Sequence, residues 1–236
     1  LWLIATFPAR HYDIEQYPAV KEYLLSFAED YLRKNGCEWV VDDYLTDFCE
    51  QKLSQTGKYI VINGKEVTIN GKKEKARKKT SNKWFETQDS ISYWEDFDKP
   101  KIVYMEIQTD NPNEGYPFPC FSYDDRNSVV LNTAYIMCSE SMDVRYILGI
   151  LNSSLGRMLA RLYVTQLQER QYRMLAQYIS KFPIAKSTTD IQNEIITRTQ
   201  KCLDSNSTLN AEDINRIVYQ IYGFESLEIT YIENLI

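Results

Sequence analysis

The sequence predicts an α+β fold: a mixed, mostly antiparallel sheet of short strands packed by a long helix, with a helical N-terminal linker and a C-terminal helical tail. Three observations lead there. Ile147, Leu148 and Leu151, then Leu155, Met158, Leu159 and Leu162, recur at the spacing of a helix with one buried face. Between residues 58 and 138 the chain breaks into short strand-forming runs divided by turn residues. At both ends the helical period returns: Val20, Tyr23, Leu24, Phe27 and Tyr31 form a stripe before Asn35-Gly36, and Thr188–Leu203, Ala211–Tyr222 and Ser226–Leu235 follow near the other end.

The long helix is the centre of the pattern. It breaks at Asn152-Ser153-Ser154, residue types whose side chains accept the free N–H groups of a new helix start. Beyond it the chain turns polar, with Thr165, Gln166, Gln168, Arg170, Gln171 and Arg173, and Pro183 closes the segment. From Val144 to Lys186 seven cations (Arg145, Arg157, Arg161, Arg170, Arg173, Lys181, Lys186) stand against Glu169 alone. The whole 236-residue chain has a net charge of −6, which argues against indiscriminate nucleic-acid binding. A local basic face is a different matter, and what decides is where the charges sit.

The remaining elements follow in order. Leu1–Phe7 reads as a strand or the tail of a preceding element, stopped by Pro8. Pro18 suits the first turn of the linker helix. A second helix over residues 42–55 would turn Leu45, Phe48, Cys49 and Leu53 inward. Tyr59–Ile62 and Glu66–Ile69 flank Asn63-Gly64, a strong hairpin signal, and Asn70-Gly71 is expected to end the second strand. Lys72–Trp84 carries a local charge of +6. Lys101–Ile107, Phe118–Tyr123, Val129–Leu131 and Tyr135–Cys138 read as strands. The tail from residue 187 has a net charge of −5 and is expected to brace the domain or its neighbour.

Catalytic motifs are missing. His11, the sole histidine, has no Ser or Cys partner in any motif, and no glycine-rich nucleotide loop is present. Asp110-Asn111-Pro112-Asn113 lacks the second proline and the aromatic of an Asn-Pro-Pro-aromatic motif. Glu106 could pair with an arginine or accept from a cytosine amino group, and the pairing is preferred. The five cysteines show no Cys-x-x-Cys pairing and read as reduced thiols, with no metal site. No run approaches the roughly 18 apolar residues of a membrane span, so no membrane partner is expected, and the reduced cysteines point to a cytoplasmic protein. The start lacks a methionine, and the chain reads as a piece of a longer protein.

Five phrases carry a family resemblance: "DIEQYPAVKEYLLSF" from Asp13, "RKKTSNKWFETQD" from Arg77, "KPKIVYMEI" from Lys99, "YILGILNS" with "ISKFPI" from Tyr146 and Ile179, and "NAEDINRIVYQIYG" from Asn210. In this order they resemble the TaqI-like C-terminal specificity (target recognition) domain of type IIG restriction-modification and adenine-specific DNA methyltransferases. The resemblance implies residues 1–40 as the linker from a missing N-terminal catalytic domain. It implies 41–186 as a DNA target recognition domain with a hairpin insertion at 58–70, and 187–236 as a helical tail. It implies double-stranded DNA and an N-terminal methyltransferase domain of the same parent chain as partners. The fragment would hold no cofactor and do no chemistry, and S-adenosylmethionine would belong to the parent, in restriction-modification or phage defence. The residues expected on DNA are Arg77, Lys78, Lys79, Asn82 and Lys83 in the basic loop, and Arg157, Thr165, Gln166, Gln168, Arg170, Gln171 and Arg173 in and after the long helix. The alternative is a subunit-assembly module that uses the acidic tail.

Overall fold

The computed structural model describes residues 3–235 except 55–57, 77–80, 88–89, 112, 114 and 206–210. The α+β class holds: short antiparallel sheets lie between helices at both ends. The chain forms two compact units, Leu1–Ser92 and Tyr93–Ile236. This division falls inside the span 41–186 that the sequence assigns to recognition.

In the first unit, residues 3–7 form no regular element, so the strand expected there is not formed. Helix α1 (Pro18–Lys34) starts on Pro18, and α2 (Glu38–Ser54) begins four residues earlier than expected and kinks at Tyr44. The α1 stripe is corrected. Tyr23, Phe27 and Tyr31 are exposed, and the line turned inward is Val20, Leu24, Leu25, Ala28 and the fully buried Leu32. Helical period defines an apolar side but not which of two adjacent lines meets the core.

Strands β1 (Val61–Ile62) and β2 (Lys65–Glu66) pair across Asn63-Gly64, and β3 (Thr68–Ile69) and β4 (Lys72–Lys73) pair across Asn70-Gly71. The second Asn-Gly therefore opens another hairpin instead of ending the first. Both turns have positive φ at both central residues (47° and 72°, 51° and 74°), the mirror-image turn that matches strand twist. Ile60 N donates to Glu74 O, Val67 N to Ile60 O and Glu74 N to Val67 O (2.9, 2.9 and 2.8 Å), so the three segments close on one another as a triangle. Ile60, Ile62, Val67 and Ile69 join Phe48, Trp84 and Phe85 in the core of this unit. The hairpins are thus part of that core, not an ornament on it.

In the second unit, β5 (Lys101–Met105) is the middle of the antiparallel sheet β7-β5-β8, with β7 at Phe121–Asp124 and β8 at Ala134–Met137. Residues 129–131, expected as a strand, belong to no strand, and Leu131 O accepts from Ala134 N in the turn before β8. Lys101 is fully buried, its Nζ 2.6 Å from Asp124 Oδ2 and donating to Phe97 O. Helix α3 (Val144–Leu151) packs against this sheet, and its Tyr146, Ile147, Ile150 and Leu151 are buried in the core of this unit. Asn152 ends α3, and its amide donates to Phe121 O and accepts from Phe121 N, 2.8 and 3.0 Å, as a neighbouring strand would. Ser153 caps α4 (Ser154–Tyr163) by accepting from Gly156 N. After the strands β9 (Thr165–Gln168) and β10 (Gln171–Arg173) and the short α5 (Ala176–Ile179) come α6 (Thr189–Ser205), α7 (Ala211–Tyr222) and α8 (Ser226–Asn234). Ile195, Ile214, Ile217 and Val218 of the tail share the core with α3, so the tail braces its own unit. Gly149 is required there: a Cβ on it would lie 2.7 Å from Thr199 Oγ1 and 2.8 Å from an Ile195 methyl. Among the described residues no helix is long and apolar enough to cross a membrane.

Candidate nucleic-acid interface

The polar segment after α4 is a β-hairpin, and its outward face gathers the side chains of interest. Strand β10 lies between β9 and β6 (Ile107–Thr109), all antiparallel. Gln171 sits opposite Thr109 and Arg173 opposite Ile107 on one side, and Gln168 and Thr165 face the same two residues from β9. Paired residues share a face and successive residues alternate. Thr165, Gln168, Gln171 and Arg173 therefore lie together with Thr109 and Ile107, and all six are at least partly exposed. Tyr172, Gln108 and Gln166 belong to the other face, and there Tyr172 and Gln108 are buried. A register shift between Gln171 and Tyr172 leaves Leu167 as the extra residue of a bulge.

This face is held from behind. The Tyr172 ring packs 4.8 Å from that of Phe118. Gln108 accepts from Cys120 N at 2.7 Å and donates to Cys120 O at 3.1 Å, which replaces strand partners with a side chain. Asp110, almost fully buried at the end of β6, receives Arg157 Nη2 at 2.5 Å and Arg161 Nε at 2.8 Å. Its backbone N donates to Arg170 O at 2.7 Å in the hairpin turn, where Arg170 takes a positive φ of 60°. Asp110 thus joins α4 to β6 through its buried carboxylate and β6 to the turn through its backbone N–H, and its single charge faces two cations.

The charge tally of the sequence changes in three dimensions. Arg145 pairs with Asp143, Arg157 and Arg161 with Asp110, and Arg173 with Glu106. The acids come from outside the helix segment or from its first cap, where a local count misses them. Arg170, Lys181 and Lys186 are exposed and form no ion pair among the described residues. Near the hairpin, hydrogen bonds from Thr165 and Gln177 hold the Tyr178 hydroxyl below its ordinary value, with the charges of Lys181 and Arg173 adding to the effect.

Of the basic loop, Arg77, Lys78 and Lys79 lie outside the described residues. Asn82 and Lys83 are in the first unit and already occupied: Asn82 Nδ2 donates to Thr87 O, Lys83 N to Glu86, and Lys83 Nζ sits 5.6 Å over the Phe85 ring. The sequence reading missed Ile107, Thr109 and Tyr178. "KPKIVYMEI" pointed to a strand through Ile107, and nothing local marks the break at Glu106 or the pairing beyond it.

The described residues bring no three His, Cys, Asp or Glu side chains together as metal ligands. Burial pushes the Cys49 thiol up to about 12, and burial likewise raises Cys37, Cys120 and Cys138, the reverse of what a nucleophilic thiol needs.

Residues 50–184, more than half of the chain, match the family described as the TaqI-like C-terminal specificity domain. The chain belongs to that family. The match covers the Asn-Gly hairpins, the β7-β5-β8 sheet, α3, α4 and the exposed hairpin.

Proposed function

We propose that this chain recognises target sequences in double-stranded DNA for a restriction-modification or phage-defence adenine methyltransferase. The observation that carries the reading is the outward face of the β6-β10-β9 sheet, in a chain of the specificity-domain family. A β-ribbon fits the major groove, glutamine is suited to a bidentate contact with adenine, and arginine to one with guanine. Thr165, Gln168, Gln171 and Arg173 would read base edges. Arg170, Lys181 and the loop residues Arg77, Lys78 and Lys79 would hold phosphates. Arg157 and Arg161, paired with the buried Asp110, would position the hairpin instead of contacting DNA. The chemistry, with S-adenosylmethionine, would belong to an N-terminal methyltransferase domain of the parent, which would take the flipped adenine.

Duplex binding by the full-length parent at two salt concentrations tests this. Replacing Arg170 or Lys181 by alanine should each lower the slope of log affinity against log salt by about one unit. Gln171→Ala should relax preference at one base pair by about 1–3 kcal/mol. Absence of duplex binding at low salt would sink the reading.

A second reading, subunit assembly through the tail, is favoured by α8, which exposes Leu227 and Tyr231. It predicts association that survives loss of the hairpin cations.

A further inference from the structure

Arg173 ends the central strand of the outward face, yet it is not free. Its Nε donates to Glu106 Oε1 at 2.7 Å. Glu106 lies at the break between β5 and β6, where its backbone is fixed on both sides: its N donates to Thr133 O at 2.9 Å and its O accepts from Met174 N at 2.6 Å. The carboxylate is thus carried on a rigid corner. The arginine is about half exposed (48%), against 21% for the glutamate. The Asp110 node differs, because there the carboxylate is 5% exposed and shared by two arginines. A half-exposed single pair is weak and exchangeable, whereas a buried shared one is not.

We propose that Glu106 is a specificity-determining positioning residue: it offsets the charge of Arg173 toward DNA phosphates and leaves the other guanidinium donors for a base edge. This rests on the DNA reading above. A guanidinium has five N–H donors and the pair uses one of them. With its charge already offset by Glu106, Arg173 gains little from a phosphate, whose attraction is mainly Coulombic. A guanine edge is neutral, and its O6 and N7 can be met by the donors that the pair leaves unused. The acid therefore works against wrong sites more than against the right one, which is how a repulsive element creates discrimination.

The test is binding of the full-length parent to a short random-sequence duplex across a salt series, with wild type, Glu106→Gln, Arg173→Gln and the double variant. Glu106→Gln should tighten random-duplex binding about threefold at low salt and steepen the salt slope by about 0.9, since one more phosphate is neutralised. Arg173→Gln alone should change the slope little, and in its presence Glu106→Gln should have no effect. A structural role for Glu106 would lower stability and leave the slope alone, so thermal melts are recorded beside the titrations. An unchanged or shallower slope in Glu106→Gln, with wild type binding, overturns this inference and leaves the DNA reading standing. No binding by wild type at any salt overturns both.

Discussion

In the hairpins between Val61 and Lys73, Ile62 and Ile69 are buried and each turn is an Asn-Gly pair. In the hairpin between Thr165 and Arg173, all four residues of β9 are exposed and the turn is Glu169-Arg170. The first pair is fixed by its own turns and by what it buries. The second has little local reason to exist. It is held through Tyr172 behind it, β6 beside it and Asp110 under its turn. Outward side chains such as Gln168 and Gln171 are therefore spared from folding duty, which leaves them open to change without loss of the scaffold.

The largest expected effect breaks the first region. Ile60→Ala opens a cavity beneath the triangle of strands and should cost about 3 kcal/mol in chemical denaturation. A loss below about 0.5 kcal/mol, the usual size for a surface site, would return the hairpins to ornament. The sheet behind the second region supplies the next test. Burial pushes the Asp124 carboxyl up, but hydrogen bonds from Lys101, Ser128 and the Arg126 amide outweigh it and hold the group below its ordinary value. A depressed folded value means that this stability is present above the unfolded carboxylate range, about pH 4, and is lost as pH falls through the folded value. Asp124→Asn should lower stability at neutral pH, because Lys101 is left buried without its partner, and should flatten the acid limb of stability against pH. An acid limb as steep as that of wild type would place the titration elsewhere. The smallest effect sharpens the contrast: Gln168→Ala should change stability by less than about 0.5 kcal/mol. A loss comparable to that of Ile60→Ala would show that the exposed hairpin supports the fold after all.

What the sequence disclosed follows the range of the physics. Asn63-Gly64 and Asn70-Gly71 are local signals, and the long helix, its break at Ser153 and the three tail helices lie within one or two residues of expectation. The Thr165–Arg173 segment was visible by composition but not as strands. Gln-Leu-Gln has no β-branched run, and its pairing depends on β6; Glu106 and Arg173 are 67 residues apart. For the same reason the positive tally of the long-helix segment could not show which arginines Asp110 and Glu106 would take.

The close approach of Gly149 to Thr199 bears on transplanting this module between proteins. The family match ends at residue 184, five residues before α6 begins. A graft cut there would discard Ile195, Ile217 and Val218 and uncover the α3 face they fill. A graft running from Tyr93 through Asn234 would carry its core intact, with the exposed hairpin as the part to exchange.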